Sequence, residues 1–226
     1  MKVLKIWGIR TASKSNKIFF LLIPIFGLLS IIMGVVSFYG MQTGDLSVRL
    51  NDLADKNIRL DESPDFTQPR TILRYAGKKS YRDTSYAAVR SWYLPEILET
   101  DGRYEKDYIL AFSFYLMNTS EASTIDQIQY QIALSDVTQN IDDALRIMVI
   151  ADEVQTVFEK VEDRLGDQTQ PFISSTIAAR GLILNIRAQQ KVRVSVVIWL
   201  EGDLTNDDMI GGSMKLDMSF TIGEED

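Results

Sequence analysis

The 226-residue chain contains no cysteine and no histidine. Without cysteine, no disulfide can staple the fold and no thiolate can act as nucleophile or metal ligand. Without histidine, the chain loses the usual general base, the commonest zinc ligand and any Ser-His-Asp triad. Catalysis by carboxylates or lysine stays open, but most familiar hydrolase designs are excluded. Proline is sparse, at five residues, and basic charge is outnumbered, 24 Lys and Arg against 31 Asp and Glu. Five of those cations precede residue 18, so residues 40–226 hold 19 cations against 31 acids. An acidic domain of this kind does not read as a nucleic-acid binder, and none is expected as a partner.

What is present begins with residues 18–39, a run of 22 without a charge. As a helix it would rise about 33 Å, enough for a bilayer core of roughly 30 Å. Lys2, Lys5, Arg10, Lys14 and Lys17 precede it with no acidic residue among them. That flank predicts a cytoplasmic segment over 1–17, a single-pass signal-anchor helix over 18–39 and an extracytoplasmic domain over 40–226. The run exceeds the apolar stretch of about 7–15 residues in a cleaved signal. Its exit carries Phe38 and Tyr39, which suit an interfacial anchor. Gly27, Ser30, Gly34 and Ser37 share roughly one face, as a seam packing against other membrane helices would. Small residues are common in all such spans, so a plain anchor explains them as well.

Beyond the span, alternation of period two dominates. Leu110, Phe112, Phe114 and Leu116 share one face, as do Val192, Val194, Val196, Ile198 and Leu200. Met214, Leu216, Met218 and Phe220 form a third set. Such alternation predicts half-buried strands. Weaker candidates are 125–134, 144–150 and 181–186, with 46–50 or 58–60 as edge strands. Residues 202–212 read as a loop joining two antiparallel neighbours. In 152–165 the spacing of Val154, Val157, Phe158, Val161 and Leu165 predicts one amphipathic helix, capped by Asp152 and ended by Gly166. The expected fold is therefore mainly β, an antiparallel sandwich carrying one helix.

Residues 61–107 read as a long basic and aromatic insertion, with a short helix near 84–92. Within 66–95, six cations stand against Asp83 alone. Arg70, Arg74, Lys78, Lys79, Arg82 and Arg90 interleave there with Tyr75, Tyr81, Trp92 and Tyr93. Arg and aromatic residues are enriched where proteins make strong contacts, so this set is the candidate interaction surface. A solvated loop balancing acids of its own domain is the plainer reading.

The acidic loop with Asp203, Asp207 and Asp208 offers oxygen ligands of the kind Ca²⁺ prefers. Its spacing matches no known calcium loop, and turns favour Asp and Asn for backbone reasons, so no cofactor is expected. Paired acids at Asp61-Glu62 and Asp142-Asp143 read as solvated, and Trp199 as core packing. Asn118-Thr119-Ser120 matches a glycosylation sequon but reads as the end of a strand.

Four stretches carry a resemblance. The hydrophobic run from Ile109 to Asn118 resembles a strand of bacterial surface proteins of the TasA and camelysin kind. The blocks 196–202 and 211–220, with 58–66 near the start, are similar to uncharacterised membrane-anchored exported proteins of Gram-positive bacteria. The resemblance implies a jelly-roll sandwich at the cell surface and, for TasA, assembly into fibres. The chain lacks a small-x-small cleavage site and a Pro-Gly-Asp turn before that strand. Both departures favour an anchored protein over a released subunit. The expected role is non-enzymatic: contacts with envelope proteins or with other copies of the chain. The alternatives are a tethered polyanion- or carbohydrate-binding module and a subunit of a larger membrane complex.

Overall fold

The computed structural model describes residues 46–222 apart from 52, 78, 79 and 163, and leaves the side chain of 54 undescribed. The expected span at 18–39, with Gly27, Ser30, Gly34 and Ser37, lies outside the described residues. Among those described, no helix is long and apolar enough to cross a membrane. The described residues are mainly β, with twelve strands in two sheets and one helix of 14 residues. In order they are β1 (Leu46–Leu50), β2 (Ile58–Asp61), β3 (Ile72–Tyr75), the helix α1 over 86–99, β4 (Gly102–Glu105) and β5 (Leu110–Asn118). Then follow β6 (Ile125–Ser135), β7 (Leu145–Ala151), β8 (Val154–Glu159), β9 (Gln170–Pro171), β10 (Ile177–Ile186), β11 (Lys191–Leu200) and β12 (Lys215–Ile222).

One sheet runs β10-β6-β12-β1-β3, and the other runs β2-β5-β11-β7-β8-β9, with β4 also paired to β5. The alternating residues of the sequence supply the layer between them. Leu110, Phe112, Phe114 and Leu116 of β5 meet Leu216, Met218 and Phe220 of β12 in one buried cluster. Two ring contacts cross it: Tyr75 to Phe112, with centroids 3.9 Å apart, and Phe114 to Phe220, edge-on at 6.1 Å.

A second cluster covers the outer face of the β5-β11-β7-β8 sheet. Ala111, Met148, Val157, Val197 and Trp199 pack there against Val89 and Ile97 of α1. Both faces of β5 and β11 are thus buried, one by the other sheet and one by the helix. The Ser85 hydroxyl accepts from Ala88 N–H at the start of α1. A π-helical turn over Val89–Tyr93 follows. It precedes Pro95, which has no N–H to give the turn before it. At the far end, Arg193 donates to the carbonyls of Ile97, Leu98 and Thr100 at 3.1, 2.7 and 2.7 Å.

Three expectations are corrected. The stretch 152–165 is not the amphipathic helix. Asp152 and Glu153 both take positive φ, 49° and 66°, and close a two-residue hairpin in which Ala151 pairs with Val154. Positive φ at both central residues is the turn that matches strand twist, so the chain reverses instead of coiling. Val157 and Phe158 then point to opposite faces, and Val161 and Leu165 are exposed. The helix lies instead at 86–99, overlapping and extending the short helix expected near 84–92 of the insertion. Second, β11 and β12 belong to different sheets, so 202–212 crosses between layers and does not join neighbours. Third, the pairing is not wholly antiparallel: β1 runs parallel to β12, and β8 parallel to β9.

Gly181 in β10 is tied to packing. A Cβ there would meet Oη, Cζ and Cε1 of Tyr130 at 2.3, 2.4 and 2.6 Å, because that buried ring covers the glycine across the strand pair. Burial also pushes the Tyr130 phenol up to about 12. Gly181→Ala is expected to cost about 1–3 kcal/mol, as overpacking does. Urea denaturation of the parent and variant checks this, and an unchanged midpoint would refute it.

Candidate functional site

Four features carry unusual chemistry. The first is a buried ionic cluster under the start of α1. Arg146, inside the apolar strand β7, is fully buried. Its Nε and Nη2 approach one oxygen of buried Glu159 at 3.0 and 2.9 Å. Its Nη1 reaches Asp167 at 2.7 Å and buried Glu201 at 3.1 Å. Glu201 also accepts from Trp199 Nε1 at 3.2 Å and from the N–H of Tyr86 at 3.0 Å. The Tyr86 ring stacks on Trp199, with Arg146 and Arg90 each within 6 Å of its centroid. Desolvation pulls the Arg146 pKa down, but Asp167 and Glu159 more than offset it, so the guanidinium is held more firmly charged. Desolvation lifts the Glu201 carboxyl above its usual range, against the pull of Trp199 and Arg146. Thr169 and the N–H of Arg164 complete Glu159, at 2.6 and 3.1 Å. These groups are spent on one another, and the cluster fastens the helix to the sheet. The signal for it in the sequence is a single arginine between Leu145 and Ile147.

The second feature is an apolar cleft of about 680 Å³ at one end of the two sheets. Leu110, Leu145, Ile198, Leu200 and Leu216 line it, where β5, β7 and β12 begin and β11 finishes. A strap over 80–83 and the loop 205–214 form its walls. The strap is tied by Arg82 N–H to Asp107 C=O at 2.8 Å, and by the Tyr81 hydroxyl to the Glu105 carboxylate. The loop turns tightly at Gly212, where a Cβ would sit 3.0 Å from Ile141 and from a backbone oxygen. The volume falls in the range of ligand pockets, roughly 300–1,000 Å³. A smaller polar cavity of about 300 Å³ lies beside Asp61, Glu62, Arg70 and Asp101.

The third feature is β10, whose only strand partner among the described residues is β6. Its other edge carries no described strand, although at the ends Ile177 bridges Ser174 and the Ile186 carbonyl accepts from the Asn118 amide; Leu182 and Leu184 between them are each 53% exposed. The fourth is the outer side of α1, where Trp92 is 69% exposed.

The cationic and aromatic set of 66–95 is dispersed. Arg74 projects from the outer face of β3, Arg70 precedes that strand, and Arg90, Trp92 and Tyr93 lie on the helix over the other sheet. Tyr75 is core, and Tyr81 and Arg82 belong to the strap, while Lys78 and Lys79 lie outside the described residues. Asp203, Asp207 and Asp208 sit in short 3₁₀ turns, where Asp208 N–H donates to the Asn206 side chain at 3.0 Å. No three acidic side chains among the described residues converge on a metal position. The paired acids are engaged: Asp61 accepts from the N–H of Ser63 and Gln68, and Asp142 and Asp143 both hold Lys160. Asn118 is fully buried, bonded to Ser123, Ile186 and Ser120, as the end of a strand. No known protein family and no curated protein matches the chain.

Proposed function

We propose that the chain is a non-enzymatic, single-pass membrane-anchored surface protein whose domain makes protein–protein contacts at the cell envelope. The N-terminus is cytoplasmic and the domain, a jelly-roll-like sandwich, is extracytoplasmic. The uncharged run at 18–39 and its cationic flank support the anchoring. The observation that carries the contact role is the β10 edge, with its exposed Leu182 and Leu184. Soluble proteins shorten, charge or cover such edges, because free N–H and C=O groups template pairing with another chain. Strand addition gives affinity through main-chain bonds, and the flanking apolar residues add selectivity. Trp92 on α1 supplies a second exposed anchor of the kind enriched in interfaces.

Chemical cross-linking of the full chain in intact cells tests this reading. The parent is expected to give discrete adducts, with itself or with an envelope protein. The double change Leu182→Lys and Leu184→Lys should lower their yield at least about tenfold, since edge lysines block pairing. Protease added to the same cells should digest the domain. Identical adduct patterns in parent and variant, or a domain shielded until lysis, would sink the proposal.

A further inference from the structure

The cleft at the end of the sheets is not used by the β10 edge, and its chemistry points elsewhere. Its floor is hydrocarbon from four strands: Leu110, Leu145, Ile198, Leu200 and Leu216. At its margin Ile210 is 74% exposed and Met214 half-buried, an apolar and adaptable lip. Among the described residues, the buried side-chain atoms left without a hydrogen bond belong to Tyr75, Arg146 and Arg193, and none of these residues lines the cleft. No buried side-chain atom of the described lining asks for a ligand's hydrogen bond. A peptide seated on that floor would bring amides that need partners, whereas an alkyl chain brings none. At the mouth, Arg82 stands against Asp83 and Asp207, a small acidic excess that offers an anionic headgroup no net attraction.

The position of the cleft supplies the source. Leu46, the first residue of β1, pairs with Leu216, which lines the cleft. Whatever precedes Leu46 is therefore attached at this end of the domain, and the sequence that precedes it contains the uncharged run at 18–39. We propose that the cleft takes up the acyl chain of a membrane lipid, drawn partly out of the bilayer into the end of the domain. The proposal rests on the anchored reading above. Burial of alkyl surface drives the transfer, and the exposed Ile210 bridges the interval between cleft and bilayer.

The test uses the full chain in phosphatidylcholine vesicles doped with phosphatidylcholine bearing a diazirine on one acyl chain. After irradiation, the adducts are mapped by peptide mass. Adducts are expected on residues 18–39 and also on the cleft peptides around 80–83 and 198–216. Ile210→Glu, a change at an exposed position, should reduce the cleft adducts at least fivefold and leave those on 18–39 unchanged. Adducts on 18–39 alone, or cleft adducts indifferent to Ile210→Glu, overturn the cleft proposal and leave the anchor standing. Adducts on neither overturn both, and adducts on the cleft alone overturn the anchored reading and with it the route proposed for the lipid.

Discussion

Replacing Arg146 by methionine is expected to destabilise the domain by about 3–5 kcal/mol, the cost of breaking a buried ion pair by removing one partner. Arg146, Glu159 and Glu201 are each at most 2% exposed at the side chain, and the arginine is the cation that both carboxylates share. Methionine fills a similar space, so the loss is electrostatic and not a cavity. Tyr86 and Trp199, which hold α1, rely on the same Glu201 oxygen, so α1 should loosen with the pair. Adding Glu159→Gln and Glu201→Gln should return about 2 kcal/mol or more, because neutral amides no longer need the cation. Chemical denaturation and hydrogen exchange in α1 measure both effects. A single variant within about 1 kcal/mol of the parent would falsify the account.

The same cluster sets a pH dependence of unusual sign. Burial, the leading cause, raises the folded Glu201 pKa above its ordinary 4.5. A raised acid binds its proton more readily folded than unfolded. The stability it contributes is fully present below the unfolded pKa and is lost as pH rises through the folded one. Asp217 behaves oppositely: burial pushes its pKa up, but Ser47 and Arg49 outweigh that and hold it low. Its contribution is present above the unfolded pKa and disappears as pH falls through the folded value. Glu201→Gln should therefore remove the component that grows on mild acidification and leave the acid-labile one.

The second large effect is expected from Phe112→Ala, about 3–5 kcal/mol for a fully buried phenylalanine. Phe112 stands in the middle of β5, and its ring meets Tyr75 of β3 in the opposite sheet. β3 is a four-residue edge strand held on one side by β1, so the ring contact is a large share of its attachment. The variant should show a lowered denaturation midpoint and early proteolysis between residues 70 and 80. Phe112→Leu, which keeps most of the volume, should recover more than half of the loss. Cleavage and midpoint unchanged in Phe112→Ala would refute the role assigned to this ring.

Strand existence was legible because alternation is local: β5, β11 and β12 follow directly from where their apolar residues stand. Which strands share a sheet was not, since β12 passes to the other layer and nothing in 202–212 announces it. The 152–165 stretch misled because its apolar residues at 154, 157, 158 and 161 follow helical spacing, whereas β8 buries Val157 and Phe158 on opposite faces of a sheet covered on both sides. The deciding signal was the reversal at Asp152-Glu153, which lacks the glycine that marks such turns most clearly. Helix α1 was legible in its first half, as the short helix near 84–92, while Pro95 obscured its continuation to residue 99. Of the candidate surfaces, the charged set was visible but its dispersal over two layers was not. The Arg146 cluster, the cleft and the free β10 edge emerge only when residues far apart in sequence are brought together.

The parallel pairing of β1 with β12 also imposes an order on biosynthesis. Leu46 waits for Leu216, 170 residues later, so the first strand of the domain lacks its inner neighbour until β12 has emerged. Until then the apolar side of β1 and the waiting edge of β6 stand open to chaperones and to mispairing. Loss of β12, residues 215–222, would accordingly leave a domain unable to close, a nascent chain held short of its last pairing.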